Sequence, residues 1–418
     1  MELPASASVS FCAICGARLL IVLPILPILP IPPILPIPPI PAHPAHPAHP
    51  AYTACVMADT TIPENALNAF LETLDKANVR AAELFPGDSP RRQPVHTVYG
   101  GAHLFTADTT QKLGALALRA LDDHAPDAPA FAEVFGIDRR LADRVHPRVI
   151  EKLTREPVED LRIDFEDGFG HRPDHEEDGH AVRAANEVAI ALSGGTLPPG
   201  TLQFEVMIET AQAIFSADGT VALPRFIGEG GGRIVAAHFG TYDYTAACSI
   251  TAAHQHMRHP ACDFAKHVMQ VALAGTGIWL SDGATNVMPI GSRDVVHRAW
   301  RLHFEHARHS LVTGFYQGWD LHPAQLPSRY AAVYAFFLEG LDAASERLKQ
   351  FVAQAAQATL VGHVFDDAAT GQGLLNYFLR ALNCRAISEQ EAIEMSGLTP
   401  DELRSRSFVR ILQRRTSG

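Results

Sequence analysis

LQFEVMIETAQAIFSADGTVALPRFIGEGGGRIVAAHFGTYDYT, residues 202–245, is the stretch whose reading decides the fold. It reads as strand, helix, glycine-rich loop, strand. Phe204, Val206 and Ile208 are apolar and β-prone, and Glu209 arrives where that strand should end. Residues 234–239 are a second apolar run, and GTYD ends it with Asp243. Two carboxylates, Glu209 and Asp243, therefore fall just past the ends of consecutive predicted strands. In a parallel α/β barrel those ends share one face, and that face carries the chemistry. Two acidic side chains facing one pocket repel unless a cation lies between them, and oxygen ligands suit a hard divalent ion such as Mg²⁺. A Glu or Asp after a strand can also be only a helix cap or a first-turn residue that suits the helix dipole.

Working outward, LRIDFEDGFG at 161–170 is an apolar strand that ends in Asp164, Glu166 and Asp167. Three carboxylates in four residues are costly to place together unless they are solvated or near a cation. TGFYQGWDLHPAQL at 313–326 is a closing strand that Pro323 terminates, because proline has no N–H for the ladder. VHTVYGGAHLF at 95–105 opens the series, with Gly100 and Gly101 permitting close backbone approach. A short strand at 277–282 places Asp282 and Thr285 at the active-face end. GEGGGR at 228–233 lacks the Lys-Ser/Thr of a phosphate loop and precedes a strand, so it is no Walker motif. His254, His256 and His259 are spaced i, i+2, i+5, which does not gather them on one helix face, and they read as loop histidines.

Taken as a set and in order, DFED, IET, FGTYDYT and HPAQ resemble the HpcH/HpaI aldolase and citrate lyase β-subunit family, with malate synthase more distant. DFEDG is similar to that family's D-L-E-D-A-V, and GWDLHPAQ to its G-K-x-x-I-H-P-x-Q, with Trp319 in place of the lysine. The resemblance covers roughly residues 95–330. It implies a TIM-type (β/α)8 barrel with Glu209 and Asp243 as Mg²⁺ ligands. Glu166 and Asp167 would lie beside the metal through water, and His322 would contact substrate or shape its loop. It further implies carbon–carbon bond cleavage or formation on a 2-oxo acid or an acyl-CoA-linked acid, through a metal-stabilised enolate, in a homo-oligomer. An inactive barrel homologue with a binding or structural role is the alternative. No adenine-binding motif is readable, so CoA use stays open.

The barrel is expected to be incomplete. Six strand candidates arise, at 95–104, 161–166, 203–209, 234–240, 277–282 and 313–321, whereas a closed barrel needs eight. Between Asp167 and Phe204 one helix, 176–192, and SGGTLPPGT at 193–201 leave no apolar run for a strand. The resemblance places the third and fourth strands there, with an arginine that binds the substrate carboxylate, and no residue here matches it. A deletion or a gene-model error would account for that gap, which leaves two open strand edges.

The remaining organisation follows from composition. Residues 1–56 carry LPILPILPIPPILPIPPIP and PAHPAHPAHPA, which exclude a helix and favour polyproline II, so this segment is expected to be disordered, with Met57 as a functional start. A proline-broken run cannot satisfy its own backbone in a bilayer, so no membrane span is expected. Residues 57–90 hold an N-terminal helix, 91–330 the barrel, and 331–418 a helical C-terminal region. Asp108-x-x-Gln111 signals a helix start, and 138–154 reads as a charged amphipathic helix. Lys and Arg number 34 against 46 Asp and Glu, a net charge of −12, which argues against a nucleic-acid partner. The six scattered cysteines, with a single C-x-x-C at 12–15, suit reduced thiols in the cytoplasm.

Overall fold

The computed structural model describes residues 62–89, 91–165, 168–193, 203–357 and 368–416. The expected disorder of 1–56 and the short segment 194–201 lie outside them. The described residues from 67 onward belong to one compact unit, which is described below.

Six strands form one sheet: β1 (His96–Gly101), β2 (Leu161–Asp164), β3 (Phe204–Ile208), β4 (Ile234–Phe239), β5 (Trp279–Ala284) and β6 (Gln317–Asp320). All pairs are parallel, in the order β2-β1-β6-β5-β4-β3. The first strand pairs with the last, as in a (β/α)8 barrel, while β2 and β3 stand at the edges. Among the described residues between β2 and β3 there is one helix, Asp174–Ser193, and no strand. The edges β2 and β3 nevertheless approach each other through side chains. Arg162 Nη2 on β2 stands 3.1 Å from Glu205 Oε2 on β3. A flat six-stranded sheet would hold its two edges far apart, about 4.8 Å per strand, so this sheet is curled into a partial barrel.

Outward-facing residues of the strands are apolar and meet helices. Ile208, Ala237 and Phe239 pack with Met269 and Leu273 of the helix Pro260–Leu273. A larger cluster joins Val95 and Val98 to the helices Ala128–Phe135, Arg139–Arg155, Arg293–Val312 and Leu326–Glu339, and runs on to Phe378 and Ile411. Trp300 at its centre is fully buried, and its Nε1 donates to the Ala324 carbonyl at 2.6 Å. Each such large side chain contributes about 1.5–3 kcal/mol by leaving water. The charged amphipathic helix expected at 138–154 forms as Arg139–Arg155, capped by Asp138, whose side chain accepts the Arg140 N–H. Asp108 differs from expectation. It precedes the helix Thr109–His124 but makes no side-chain cap bond, because its carboxylate takes the Thr106 hydroxyl at 2.7 Å and pairs with Lys112.

The outer face of the sheet also carries buried charge. Asp282 on β5 was expected at the active face and is not there. It accepts Lys266 Nζ at 3.0 Å and the Ser310 hydroxyl at 2.6 Å, both from helices, because strand alternation turns it outward. Asp320 on β6 receives a two-pronged contact from Arg329, with His96 Nδ1 at 2.8 Å and His303 Nε2 at 2.9 Å. Against the effect of burial, Arg329 and the two histidines hold the Asp320 carboxyl well below the usual range. Among the described residues no helix is long and apolar enough to cross a membrane.

Candidate active site

β3 and β4 run side by side with Met207 opposite His238 and Ile208 opposite Phe239. Glu209 and Gly240 therefore leave the sheet at the same level and the same end. The Gly240 N–H donates to the Ile208 carbonyl at 2.9 Å. A Cβ at position 240 would stand 2.7 Å from Glu209 Cβ and 3.3 Å from Oε2, so only glycine lets the Glu209 side chain lie across the start of the next helix. That helix, Thr241–Ala247, begins at once, and Asp243 is an exposed residue of its first turn. The Tyr242 hydroxyl fixes the helix against the next strand end, donating to the Ala284 carbonyl and accepting the Asn286 N–H, each at 3.0 Å. Glu209 is not the cap of the following turn. Thr210 fills that role, its Oγ1 accepting the Ala213 N–H at 3.2 Å. Asp243 does sit where the helix dipole favours a negative charge.

The end of β6 reaches the same face. His322 Nδ1 accepts the Ala324 N–H at 3.1 Å and so caps the turn Pro323–Gln325. Burial lowers its pKa, which keeps the ring neutral. Gln325 is fully buried; its Oε1 accepts the Leu321 N–H and its Nε2 donates to the Thr285 carbonyl, both at 2.8 Å. HPAQ thus knits β6 to the loop after β5. Beside β2, Asp164 accepts the Gly168 N–H at 2.7 Å, and a Cβ on Gly101 would overlap the Gly168 carbonyl. Glu166 and Asp167 lie outside the described residues.

Below this rim the inner face carries a polar layer that the sequence reading did not single out. Arg162, Glu205, His238 and Trp319 meet there with Tyr99. The Trp319 ring is 4.5 Å from Tyr99 and 5.6 Å from His238. His238 Nδ1 is 2.8 Å from the Ser281 hydroxyl and 3.8 Å from Glu205 Oε1. Arg162 is shared with Asp160 at 2.8 Å, and its pair with Glu205 lacks hydrogen-bond alignment. Among the described residues both Glu205 oxygens, His238 Nε2 and Trp319 Nε1 are buried without a hydrogen-bond partner. Burial pushes the Glu205 carboxyl up to about 7, although Arg162 opposes it, and drives His238 down to about 3. A signal was available: in FEVMIE the alternation of a strand puts Glu205 on the same face as Glu209, about 13 Å deeper.

Among the described residues no three His, Cys, Asp or Glu side chains gather as a metal cluster. His254 ends the short 3-10 helix Ala252–His254, His256 lies in a bend, and His259 caps the helix Pro260–Leu273. The carboxylates that follow these two strand ends are Glu209 and Asp243. Oxygen donors in that number fit Mg²⁺, which keeps several waters and takes few protein ligands.

Residues 74–200 and 193–411 match the family model described as Domain of unknown function (DUF6986). No curated protein matches the chain. Among solved structures it is similar to a citrate lyase from Burkholderia xenovorans LB400 at 16% identity and a TM-score of 0.39, over 75% of this chain and 98% of that one. It is also similar to malate synthase from Haloferax volcanii, native at 3 mM glyoxylate, at 13% identity and a TM-score of 0.30, over 77% and 99% of the two chains. The magnesium/glyoxylate complex of that malate synthase gives 13% and 0.31, over 78% and 99%.

Proposed function

The chain belongs to the DUF6986 family, a domain of unknown function, and from that premise we propose a divalent-metal-dependent carbon–carbon lyase of aldolase type. Its substrate would be a 2-oxo acid or an acyl-CoA-linked acid. One observation carries the reading: Glu209 and Asp243 follow the carboxyl ends of adjacent parallel strands, and Gly240 makes room for Glu209 between them. The resemblance of the motif set supports it. The likeness to solved structures is too loose to add weight.

Glu209 and Asp243 would hold Mg²⁺. When bound, the metal would supply Lewis-acid polarisation of the substrate's carbonyl and carboxylate oxygens. The chain's own groups do the rest. Gly240 and Tyr242 set where the two carboxylates stand. His322, neutral and capping its turn, shapes the wall at the end of β6. Arg162 brings a cation to the inner face beside Glu205, below the two carboxylates at the strand ends.

The test is isothermal titration of Mg²⁺ or Mn²⁺ with pyruvate or oxaloacetate present, alongside a turnover screen over 2-oxo acids and acyl-CoAs. Glu209→Gln keeps shape and removes the charge that holds a hard cation. It should weaken metal binding about a hundredfold or more, with circular dichroism unchanged. Full Mg²⁺-dependent turnover by this variant would remove Glu209 from the ligand set.

A second reading has its own support. The sheet has two edges, β2 and β3, and the Arg162–Glu205 pair lies between them, where a complete barrel would have two more strands. That favours a barrel homologue of impaired activity that binds metal and a 2-oxo acid. Binding of both without turnover by the full chain would select it.

A further inference from the structure

The carboxylates occupy one end of the sheet, and the opposite end holds a cavity of about 600 Å³ that no part of the proposed reaction uses. It opens where the chain enters β1, β5 and β6, under the helix Ala368–Asn383 and the helix Phe408–Thr416. Four arginines, Arg91, Arg380, Arg406 and Arg410, line it against a single carboxylate, Asp88. Its formal charge is +3 in a chain whose net charge is −12. Such a concentration runs against the chain's own bias, and mutual repulsion of four guanidiniums is unfavourable without an anion.

The guanidiniums are positioned and only partly used. Arg91 lies over the Trp279 ring at 4.8 Å, and Arg380 over the Tyr316 ring at 4.6 Å. Stacking fixes the plane of a guanidinium and leaves its edge donors directed sideways. Arg91 spends Nη1 on Gln203 Oε1 at 2.9 Å; Arg380 spends Nη1 on Gln93 Oε1 at 2.7 Å and stands 3.6 Å from Asp88. Arg406 is held in the left-handed region at φ +53° and donates Nη1 to the Ser89 carbonyl at 2.9 Å. That conformation is the left-handed cap that ends the helix Pro400–Ser405, with the Arg406 N–H donating to the Leu403 carbonyl, and it fixes where the side chain starts. The Arg410 side chain is exposed at the rim.

We infer that this cavity binds a small anion carrying two or more negative charges, through phosphoryl or carboxylate groups. Planar forks arranged around a basic cavity match both oxygen geometries. Because its walls come from strand entries and from C-terminal helices, the ligand would tie those helices to the sheet. Binding to the folded state alone raises stability by mass action.

The experiment uses the full chain at low ionic strength, with pyrophosphate and citrate as separate probes, read by titration calorimetry and thermal unfolding. At least one probe should bind and raise the melting temperature. Binding of pyrophosphate alone assigns a phosphoryl ligand, and of citrate alone a polycarboxylate. Arg410→Gln changes an exposed residue and should weaken binding at least about tenfold; adding Arg91→Gln should weaken it further. Glu209→Gln should bind the probe unchanged, which separates this cavity from the proposed active site. No binding of either probe at 10 mM, equal binding by the double arginine variant, or loss of binding in Glu209→Gln would each overturn the inference.

Discussion

Asp320 and Glu205 are carboxylates buried in the same sheet with opposite surroundings. Asp320 faces the helices and is met by Arg329, His96 and His303, which hold it well below the ordinary range. Glu205 faces inward, has one misaligned arginine beside it and no hydrogen bond among the described residues, and is pushed up to about 7 by burial. On the outer face the buried charges Asp320, Asp282 and Lys266 each meet partners. The inner face leaves polar atoms unmet and is the part of the fold where stability has been given up. Such local inconsistency is expected where a protein does its work.

The sharpest way to break this contrast is Asp320→Asn. Removing the charge leaves Arg329 buried with two histidines and no counter-charge, a change that typically costs about 3–5 kcal/mol. Urea unfolding at pH 7 should show a loss of that size. The folded pKa of Asp320 is depressed, so its contribution is present above the unfolded value near 3.9 and is lost as pH falls through the folded one. The gap between variant and native chain should therefore begin to close below about pH 4 and close fully only below the depressed folded pKa of Asp320. A loss under about 1 kcal/mol at pH 7 would mean that the cluster is not a scaffold element.

Glu205→Gln tests the other side and should have the opposite sign. The folded pKa is raised to about 7, so the unfolded chain ionises first as pH rises, and the native protein loses stability between about 4.5 and 7. The variant carries no such penalty. It should match the native chain at pH 4 and exceed it at pH 8 by up to about 3 kcal/mol. A variant destabilised at pH 8 would show that the Arg162 pair outweighs the cost of burial.

The same two faces explain what the sequence discloses. Outward residues of a parallel sheet are apolar, so Val206, Ile208 and the run at 234–239 announce their strands, and six strands stand where they are expected. Strand ends are legible too, because Gly240 and Pro323 punctuate them. The fate of a charge within a strand is not legible. Asp320 finds partners 9 and 224 positions away, and no local pattern distinguishes it from Asp282 or from a strand-end ligand. Glu205 could have been placed on the face of Glu209 by alternation alone. Its lack of partners could not, since that depends on what the curl of the sheet brings opposite it. The central stretch also holds more structure than one helix: short helices Ala211–Ile214 and Leu223–Glu229 flank an isolated bridge between Phe215 and Val221.

The smallest expected effect is the most direct comparison of the two faces, because it makes one substitution in both. Trp300, on the outer side, donates Nε1 to the Ala324 carbonyl at 2.6 Å. Trp319, on the inner side, buries Nε1 without a partner among the described residues. Phenylalanine at either site removes one N–H and part of a ring. At Trp300 it also strands a buried carbonyl, so the loss of packing adds to about 1–3 kcal/mol for the unmet acceptor. At Trp319 no acceptor is stranded, and relief of an unpaired N–H offsets the lost contacts with Tyr99 and His238. Trp319→Phe should therefore fall within about 1 kcal/mol of the native stability, and Trp300→Phe should be worse by about 1–3 kcal/mol. Parallel thermal and urea unfolding of the two variants measures that difference. Equal costs would mean that the Trp319 N–H is satisfied after all and that the inner face is as complete as the outer one.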